Sequence, residues 1–335
     1  MDVTRLPRRD LALTAVGVGA AQFGNLYRPS TDAELEGAVQ AAWDQGIRYF
    51  DTAPHYGLGL SERRLGALLG QFPRDEIVVS TKAGRLLRPS PETAHLRDVA
   101  GGFDVPADVR REWDFSAAGV RRSLEESLER SGLDRFDIVY LHDPDDHGAQ
   151  AREAALPELA RMRDEGIIGA IGAGMNQSAM LADFVRDGDI DVVMLAGRYT
   201  LLEQSALDDL LPLAVERGVG VVIAGVYNSG LLARPRPPAD ARYNYQQAPP
   251  ELLARVNRIA DLCEAHGVTL PDAAVRFALA HPAVVSTVIG VRTHQQVTQA
   301  AQRAATDVPV SLWADLVAAG LLRADAPVPT AVPVA

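Results

Sequence analysis

The sequence predicts a single (β/α)8 barrel of the α/β class, and three observations carry that prediction. Eight short Val/Ile-rich runs recur along the chain with little polar alternation, as expected of parallel strands covered on both faces. A longer amphipathic stretch follows each run, which favours a closed barrel over a doubly wound sheet. No linker interrupts the 335 residues, and a barrel of this size is one domain. The core is expected over about residues 10–320, within a single domain spanning 1–335.

The elements follow in order. The opening stretch, with its Arg8-Arg9 pair, reads as a surface hairpin or strand; no long apolar core follows to make it an export signal. Strands are predicted over 15–19, 47–51, 77–82, 138–142, 167–173, 191–195, 219–224 and 285–289. Thr31 and Glu34 have capping-box spacing and open a helix that runs to about Gln45. Helices over 116–131, 149–165 and 204–217 each end at a glycine, namely Gly132, Gly166 and Gly218. Two connections, 83–115 and 225–249, are unusually long. Both follow strands, so they belong to the face where barrel active sites lie. Residues 326–335 are rich in proline and alanine and read as a mobile tail.

Composition narrows the class. The chain is 47% hydrophobic and 23% charged, enough apolar residue to build a core without disulfide or metal staples. Thirty-three basic against 44 acidic residues give a net charge of −11, which argues against a nucleic-acid surface. The longest strongly apolar runs, such as 219–226, fall far short of the ~18–20 residues of a membrane helix. Cys263 is the single cysteine, so no disulfide forms within the chain and the cytoplasm is the expected compartment. Oligomeric state stays open.

Two glycine pairs invite a dinucleotide-fold reading. Gly17-Val-Gly19 and Gly172-Ala-Gly174 would each need a third glycine, where Gln22 and Gln177 stand. The fingerprint that cradles a pyrophosphate is therefore incomplete, and tight turns at strand ends are the better reading. The cluster His142-Asp143-Pro144-Asp145-Asp146-His147, with His55 upstream, invites a metal-hydrolase reading. Its histidines are five apart across a proline and no His-x-His pair ends the first strand, so no metal is expected.

A sharper constellation remains. Asp51, Lys82 and His142 end successive predicted strands, and Tyr56 follows Asp51 by five residues. In a barrel these positions converge on one mouth. A phenol titrates near pH ~10 unaided, too high for efficient proton exchange at neutral pH. An adjacent ammonium would lower that value, and a carboxylate would hold the ammonium. The plain alternative is an ordinary buried Asp–Lys pair with a surface tyrosine, but unpaired buried lysines are costly and strand-end clustering favours chemistry.

These residues lie in motifs that resemble the aldo-keto reductase family: Gly46-Ile-Arg-Tyr-Phe-Asp51-Thr-Ala-Pro-His-Tyr56-Gly57, Ser80-Thr-Lys82, Leu133-Asp-Arg-Phe-Asp-Ile-Val-Tyr-Leu-His142, and Ser229-Gly-Leu-Leu232. The stretches 51–62 and 225–232 are similar to the bacterial branch that holds D-threo-aldose (L-fucose) 1-dehydrogenases and pyridoxal 4-dehydrogenase. The resemblance implies a nicotinamide-dependent oxidoreductase with a catalytic tetrad of Asp51, Tyr56, Lys82 and His142. Tyr56 would exchange the proton at the substrate oxygen, and the substrate would be a carbonyl, an alcohol or a sugar hemiacetal.

The same resemblance implies a cofactor path along Gly19, Asn176, Gly225, Tyr227, Asn228, Gly230, Leu231, Gly290, Arg292 and Gln296. Asn176 would hold the carboxamide, and Tyr227 would stand in for the aromatic that stacks on the nicotinamide, since Ala224 occupies that place. Gln296 stands where an arginine often binds the 2′-phosphate of NADP, which favours NAD unless Arg292 compensates. Phe23 and Trp113 are candidates to line the substrate pocket or to pack the long loop on the barrel. A nicotinamide-binding regulatory barrel with little turnover is the alternative of another class.

Overall fold

Eight parallel strands close into a barrel in a computed structural model that describes residues 1–244 and 246–330. They are β1 (Val16–Gly19), β2 (Tyr49–Asp51), β3 (Val78–Ala83), β4 (Ile138–His142), β5 (Ala170–Met175), β6 (Val192–Ala196), β7 (Gly220–Ala224) and β8 (Val284–Gly290). Each pairs with its sequence neighbours, and β8 pairs with β1 to complete the ring. Around them run α1 (Asp32–Asp44), α2 (Leu60–Leu69), α3 (Ala117–Ser131), α4 (Leu156–Asp164), α5 (Ala179–Asp187), α6 (Leu210–Arg217), α7 (Pro250–Ala265), α8 (Leu270–Leu279), α9 (His294–Ala305) and α10 (Val310–Ala318).

The helix signals hold at both ends. Thr31 Oγ1 accepts from Glu34 N at 3.2 Å while Glu34 Oε2 accepts from Thr31 N at 2.9 Å, the reciprocal capping box. Gly132 and Gly218 close α3 and α6 with φ of 67° and 62°, left-handed values that only glycine adopts without steric cost. Two strands start later than predicted for one reason. Ile47 and Ile167 donate back into the preceding helix ends, to Ala42 O at 2.8 Å and Met162 O at 2.9 Å. These apolar residues complete helix caps, so β2 begins at Tyr49 and β5 spans Ala170–Met175. Pro157, which has no N–H, interrupts the helix predicted over 149–165: a wide turn at Ala151–Ala155 precedes α4. The stretch 204–217 likewise splits into a tight turn and α6, which Asp209 caps by accepting from Leu210 N at 2.6 Å.

Inside the barrel one glycine of each pair makes room for a ring. Tyr49 and Tyr140 are fully buried, with their hydroxyls 3.2 Å apart. A Cβ on Gly17 would stand 2.6 Å from Tyr49 Cδ1, and one on Gly172 would stand 3.0 Å from Tyr140 Cδ1 and 1.8 Å from Val192 O. At the opposite end to the site, the antiparallel hairpin Val3–Arg5/Ala12–Thr14 brings Leu6 and Leu13 under the barrel. The arginine pair has a structural task there. Arg9 pairs with buried Asp191 at 2.6 Å, and Arg8 donates to Ile190 O at 2.9 Å.

Length beyond the barrel is spent in three places. The connection after β3 folds into a hairpin, Arg85–Pro89 against Val109–Trp113. The connection after β7 holds a tight turn at Asn228–Gly230 and a short pairing of Arg242–Tyr243 with Gln246–Gln247. The helices α7 and α10 then pack together on the outside. The expected mobile tail is corrected over 326–330, where Ala326 is buried and Val328 packs on the core. Residues 331–335 lie outside the described residues.

Candidate active site

The carboxyl ends of β2, β3 and β4 deliver Asp51, Lys82 and His142 to one mouth, as their strand-end positions predict. Lys82 Nζ donates to Asp51 Oδ2 at 2.6 Å and to Thr52 O at 3.0 Å. Asp51 Oδ1 accepts from Ser80 Oγ at 2.7 Å, and Tyr49 Oη lies 3.0 Å from the same hydroxyl. Both oxygens of the carboxylate are thus occupied, and the pair is almost wholly buried, at 2% exposure for Asp51 and 3% for Lys82. A buried ion pair adds little net stability, but it holds the ammonium in place.

Tyr56 stands above this pair, with Lys82 Nζ 4.8 Å from the centroid of its ring. Its loop is fixed by a close backbone approach. Gly57, at φ 61°, lies so near Gly24 that a Cβ on it would sit 2.3 Å from Gly24 O. Arg64 ties the Gly24 segment down by donating to Phe23 O at 3.0 Å and Asn25 Oδ1 at 2.8 Å. The His142 ring crosses Tyr56 nearly at right angles, with centroids 5.9 Å apart. His142 Nδ1 is buried without a hydrogen-bond partner among the described residues, and Nε2 stands 3.6 Å from Asp143 Oδ2.

The electrostatics differ from the sequence expectation in one respect. Burial pushes the Tyr56 phenol up, the Lys82 ammonium pulls it back, and the net direction is upward rather than downward. For Lys82, burial works against the charge, but Asp51 and Tyr56 outweigh it and raise its pKa. Burial, followed by the nearby Arg85 and Lys82 charges, holds His142 well below the usual imidazole range. Burial likewise drives His55 down to about 2, helped by Arg85, Arg111 and Lys82. Both imidazoles are therefore neutral at pH 7.

The hairpin after β3 supplies residues that the sequence analysis did not single out. Arg85 is 7% exposed; its guanidinium pairs with Asp143 and lies 4.1 Å from the Trp113 ring centroid. Arg111 binds both oxygens of Asp98, at 2.8 and 2.6 Å, and donates to His55 O at 2.9 Å. Phe103 sets its ring edge-on against His55 at 5.3 Å. An arginine three residues beyond a strand-end lysine was the available signal, but only the fold of the hairpin aims it at the mouth.

The remaining candidates divide. Trp113 is at the mouth beside Arg85, and it is 43% exposed. Phe23 is fully buried in the main core, so it packs the β1 connection and does not line a pocket. Gly19 and Gly290 are register partners at the ends of β1 and β8, and Asn176 follows β5 directly. Tyr227 packs half-buried against the core, and its hydroxyl accepts from Arg303 on α9 at 2.9 Å. Asn228 spends its side chain within the fold, accepting from Thr200 Oγ1 at 2.6 Å and donating to Gly197 O at 3.2 Å. Leu231 is fully buried, while Gly225 and Gly230 hold the turn at φ 62° and 99°.

Arg292 is committed as well, donating to Leu26 O, Arg28 O, Pro29 O and Ser30 Oγ at 2.8–3.1 Å. It is therefore not free to compensate for Gln296, whose Oε1 accepts from Arg292 N at 2.7 Å. His147 makes tilted ring contacts with Trp113 and Phe115, whereas His142 pairs with His55. Among the described residues no three His, Cys, Asp or Glu side chains converge as a metal cage.

The backbone at this face suits a nicotinamide dinucleotide. Gln22 rests against the bare Cα of Gly290; among the described residues its Oε1 is buried and unpartnered, and nothing lies within 4 Å of a Cβ built on Gly230. Thr293 caps α9, whose first amides are available to phosphate oxygens.

Comparison with known proteins agrees with this geometry. A family profile described as Aldo/keto reductase family matches residues 15–318. The chain is 52% identical over 314 residues to a D-threo-aldose 1-dehydrogenase of a Pseudomonas species, covering 93% of this chain and 95% of that one. It is 38% identical over 333 residues to a pyridoxal 4-dehydrogenase of Microbacterium luteolum, covering 95% and 97%. A solved glycerol dehydrogenase from Gluconobacter oxydans shares the fold at a TM-score of 0.77 and 23% identity, covering 100% of this chain and 99% of that one.

Proposed function

The chain belongs to the aldo/keto reductase family and is an NAD(P)-dependent oxidoreductase; from that premise we propose that it oxidises aldoses at the anomeric carbon with NAD. The observation that carries this reading is the buried Asp51–Lys82 pair set beneath Tyr56 and beside a neutral His142. The relative at 52% identity supplies the substrate class.

A nicotinamide bound along Gly19, Asn176, the Gly225–Gly230 turn and Gly290 supplies the hydride acceptor. Tyr56 takes the proton of the anomeric hydroxyl as the C1–H bond breaks, and the sugar hemiacetal becomes a lactone. Lys82 stabilises the phenolate during that transfer, and Asp51 with Ser80 keeps Lys82 in position. His142, neutral in this setting, fixes the substrate oxygen through a ring nitrogen. In carbonyl reduction the same phenol gives its proton back.

Two features support NAD over NADP. Arg292 is consumed by backbone carbonyls, and Arg28, the cation beside it, pairs with Glu34 at 3.3 Å. With Gln296 neutral, a 2′-phosphate lacks a bidentate partner. The buried, unpaired thiol of Cys263 fits the reducing cytoplasm proposed for the chain. Among the described residues no helix is long and apolar enough to cross a membrane.

The test is to follow nicotinamide absorbance with NAD⁺ and NADP⁺ against a panel of aldoses, pyridoxal and simple alcohols. Aldose turnover with NAD⁺ is expected. A pyridoxal-only activity would transfer the substrate assignment to the relative at 38% identity, and an NADP⁺ preference would overturn the cofactor reading.

A further inference from the structure

The Arg85–Asp143 pair sits against the tetrad, yet the proton chemistry above does not use it. Asp143 follows His142 directly, and its Oδ2, besides receiving Arg85, lies 3.6 Å from His142 Nε2. Its backbone is left-handed at φ 43°, a conformation uncommon for a residue with a side chain. The strain is held by a bond from Asp143 N to Gly174 O at 3.0 Å and by the Arg85 ion pair. Strain kept at the rim of a site points to function rather than to stability. An apolar pair of similar volume would be about as stable, because burying two charges costs nearly what their attraction returns.

The pair is also incomplete. Among the described residues no hydrogen bond reaches Asp143 Oδ1, and Arg85 Nε is buried without a partner. A charged acceptor and a charged donor thus stand side by side next to the atoms that hold the reacting oxygen. Arg85 and Asp143 act electrostatically on Tyr56, and Arg85 acts on His142, as their proximity requires. The Arg85 guanidinium carbon lies over the Trp113 ring, 4.1 Å from its centroid, a cation–π contact that helps hold the arginine in place.

We propose that Asp143 and Arg85 bracket a hydroxyl group on the carbon next to the one oxidised, so that the site selects α-hydroxylated substrates, aldoses with a free 2-hydroxyl. A hydroxyl both donates and accepts, so one group can donate to the Asp143 carboxylate and accept from the Arg85 guanidinium. A substrate with hydrogen in its place leaves the buried Arg85 guanidinium and the partly exposed Asp143 carboxylate without that partner, and sites built to hydrogen-bond a hydroxyl disfavour the deoxy analogue. This inference rests on the aldose reading above.

The experiment compares kcat/KM for L-fucose and 2-deoxy-L-fucose in the full chain with NAD⁺. The measure is their ratio within one variant, because a general loss of turnover or stability cancels in it. Wild type is expected to prefer the 2-hydroxylated sugar by on the order of 10²–10⁴-fold. In Asp143→Asn, whose asparagine tolerates the left-handed backbone, and in Arg85→Met, the ratio is expected to fall at least about tenfold, the effect of one lost charge-assisted hydrogen bond. NADH binding, read by fluorescence, identifies any variant that has failed to fold, and the other variant then carries the test. Aldose turnover with an unchanged ratio in both variants would overturn the bracket alone. A wild type inactive on every aldose would overturn the aldose reading, and the bracket with it.

Discussion

The strand-borne floor of the site and the loop-borne rim above it are built on different principles. Asp51, Lys82 and Ser80 sit on adjacent barrel strands, buried and saturated with hydrogen bonds to one another. Arg85, Arg111 and Trp113 sit on a hairpin that leaves the barrel, and they keep open valences or exposed surface. A saturated, rigid floor suits a proton transfer whose geometry must not vary. An unsaturated rim suits recognition, because it gains its last partners only when a substrate arrives. The chemistry is thus separable from the selectivity, and substitutions in the two regions should fail in different ways.

The largest effect is expected at the centre of the floor. Tyr56→Phe removes the proton carrier and should lower kcat by roughly 10²–10⁴-fold while the cofactor dissociation constant stays within about twofold. Steady-state rates beside NADH fluorescence titrations check this. A regulatory barrel with little turnover would show no rate to lose. Next comes Asp51→Ala, which strands a buried ammonium. Its cost should be about 3–5 kcal/mol of folding stability, seen as a lower denaturant midpoint alongside lost activity.

The pH profile offers a further contrast. Because the Tyr56 pKa is raised, the phenol is protonated at pH 7, and oxidation needs the phenolate. Oxidation should therefore accelerate with pH, by about tenfold per unit below the phenol pKa, while carbonyl reduction should slow only above it. His142 and His55 are held neutral, so neither direction should show a limb near pH 6–7. An inflection there would mean that an imidazole titrates in the site. The smallest effect belongs to the rim. Trp113→Ala removes the surface under Arg85 and should raise the KM for sugar by about three- to tenfold, more than it lowers kcat. A kcat loss as large as that of Tyr56→Phe would erase the distinction between floor and rim.

How much of this was legible in the sequence follows the same division. Strand ends and helix caps are local: Thr31 with Glu34, and glycines after helices, behave as their spacing implies. The tetrad was legible because three of its members end strands, where the barrel itself fixes direction. The cofactor contacts were less so. Tyr227 carries the expected ring but turns to Arg303, and Arg292 carries the expected charge but spends it on loop carbonyls. Residue type revealed what those side chains can bind, not which partner reaches them first. The pairing of Arg85 with Asp143 is not legible in the sequence, because nothing local joins positions 58 residues apart.

By itself, then, the sequence determined the barrel, its order of strands and the meeting of Asp51, Lys82 and His142 at one mouth. These depend on periodicity and on chain direction at strand ends, both of which are short-range. Tertiary structure alone decided that the Tyr56 phenol is raised rather than lowered, that Phe23 packs instead of lining, and that Arg85 meets Asp143 beside His142. Each of these is set by desolvation or by contact across the fold, quantities that exist only once distant segments have been brought together and water excluded.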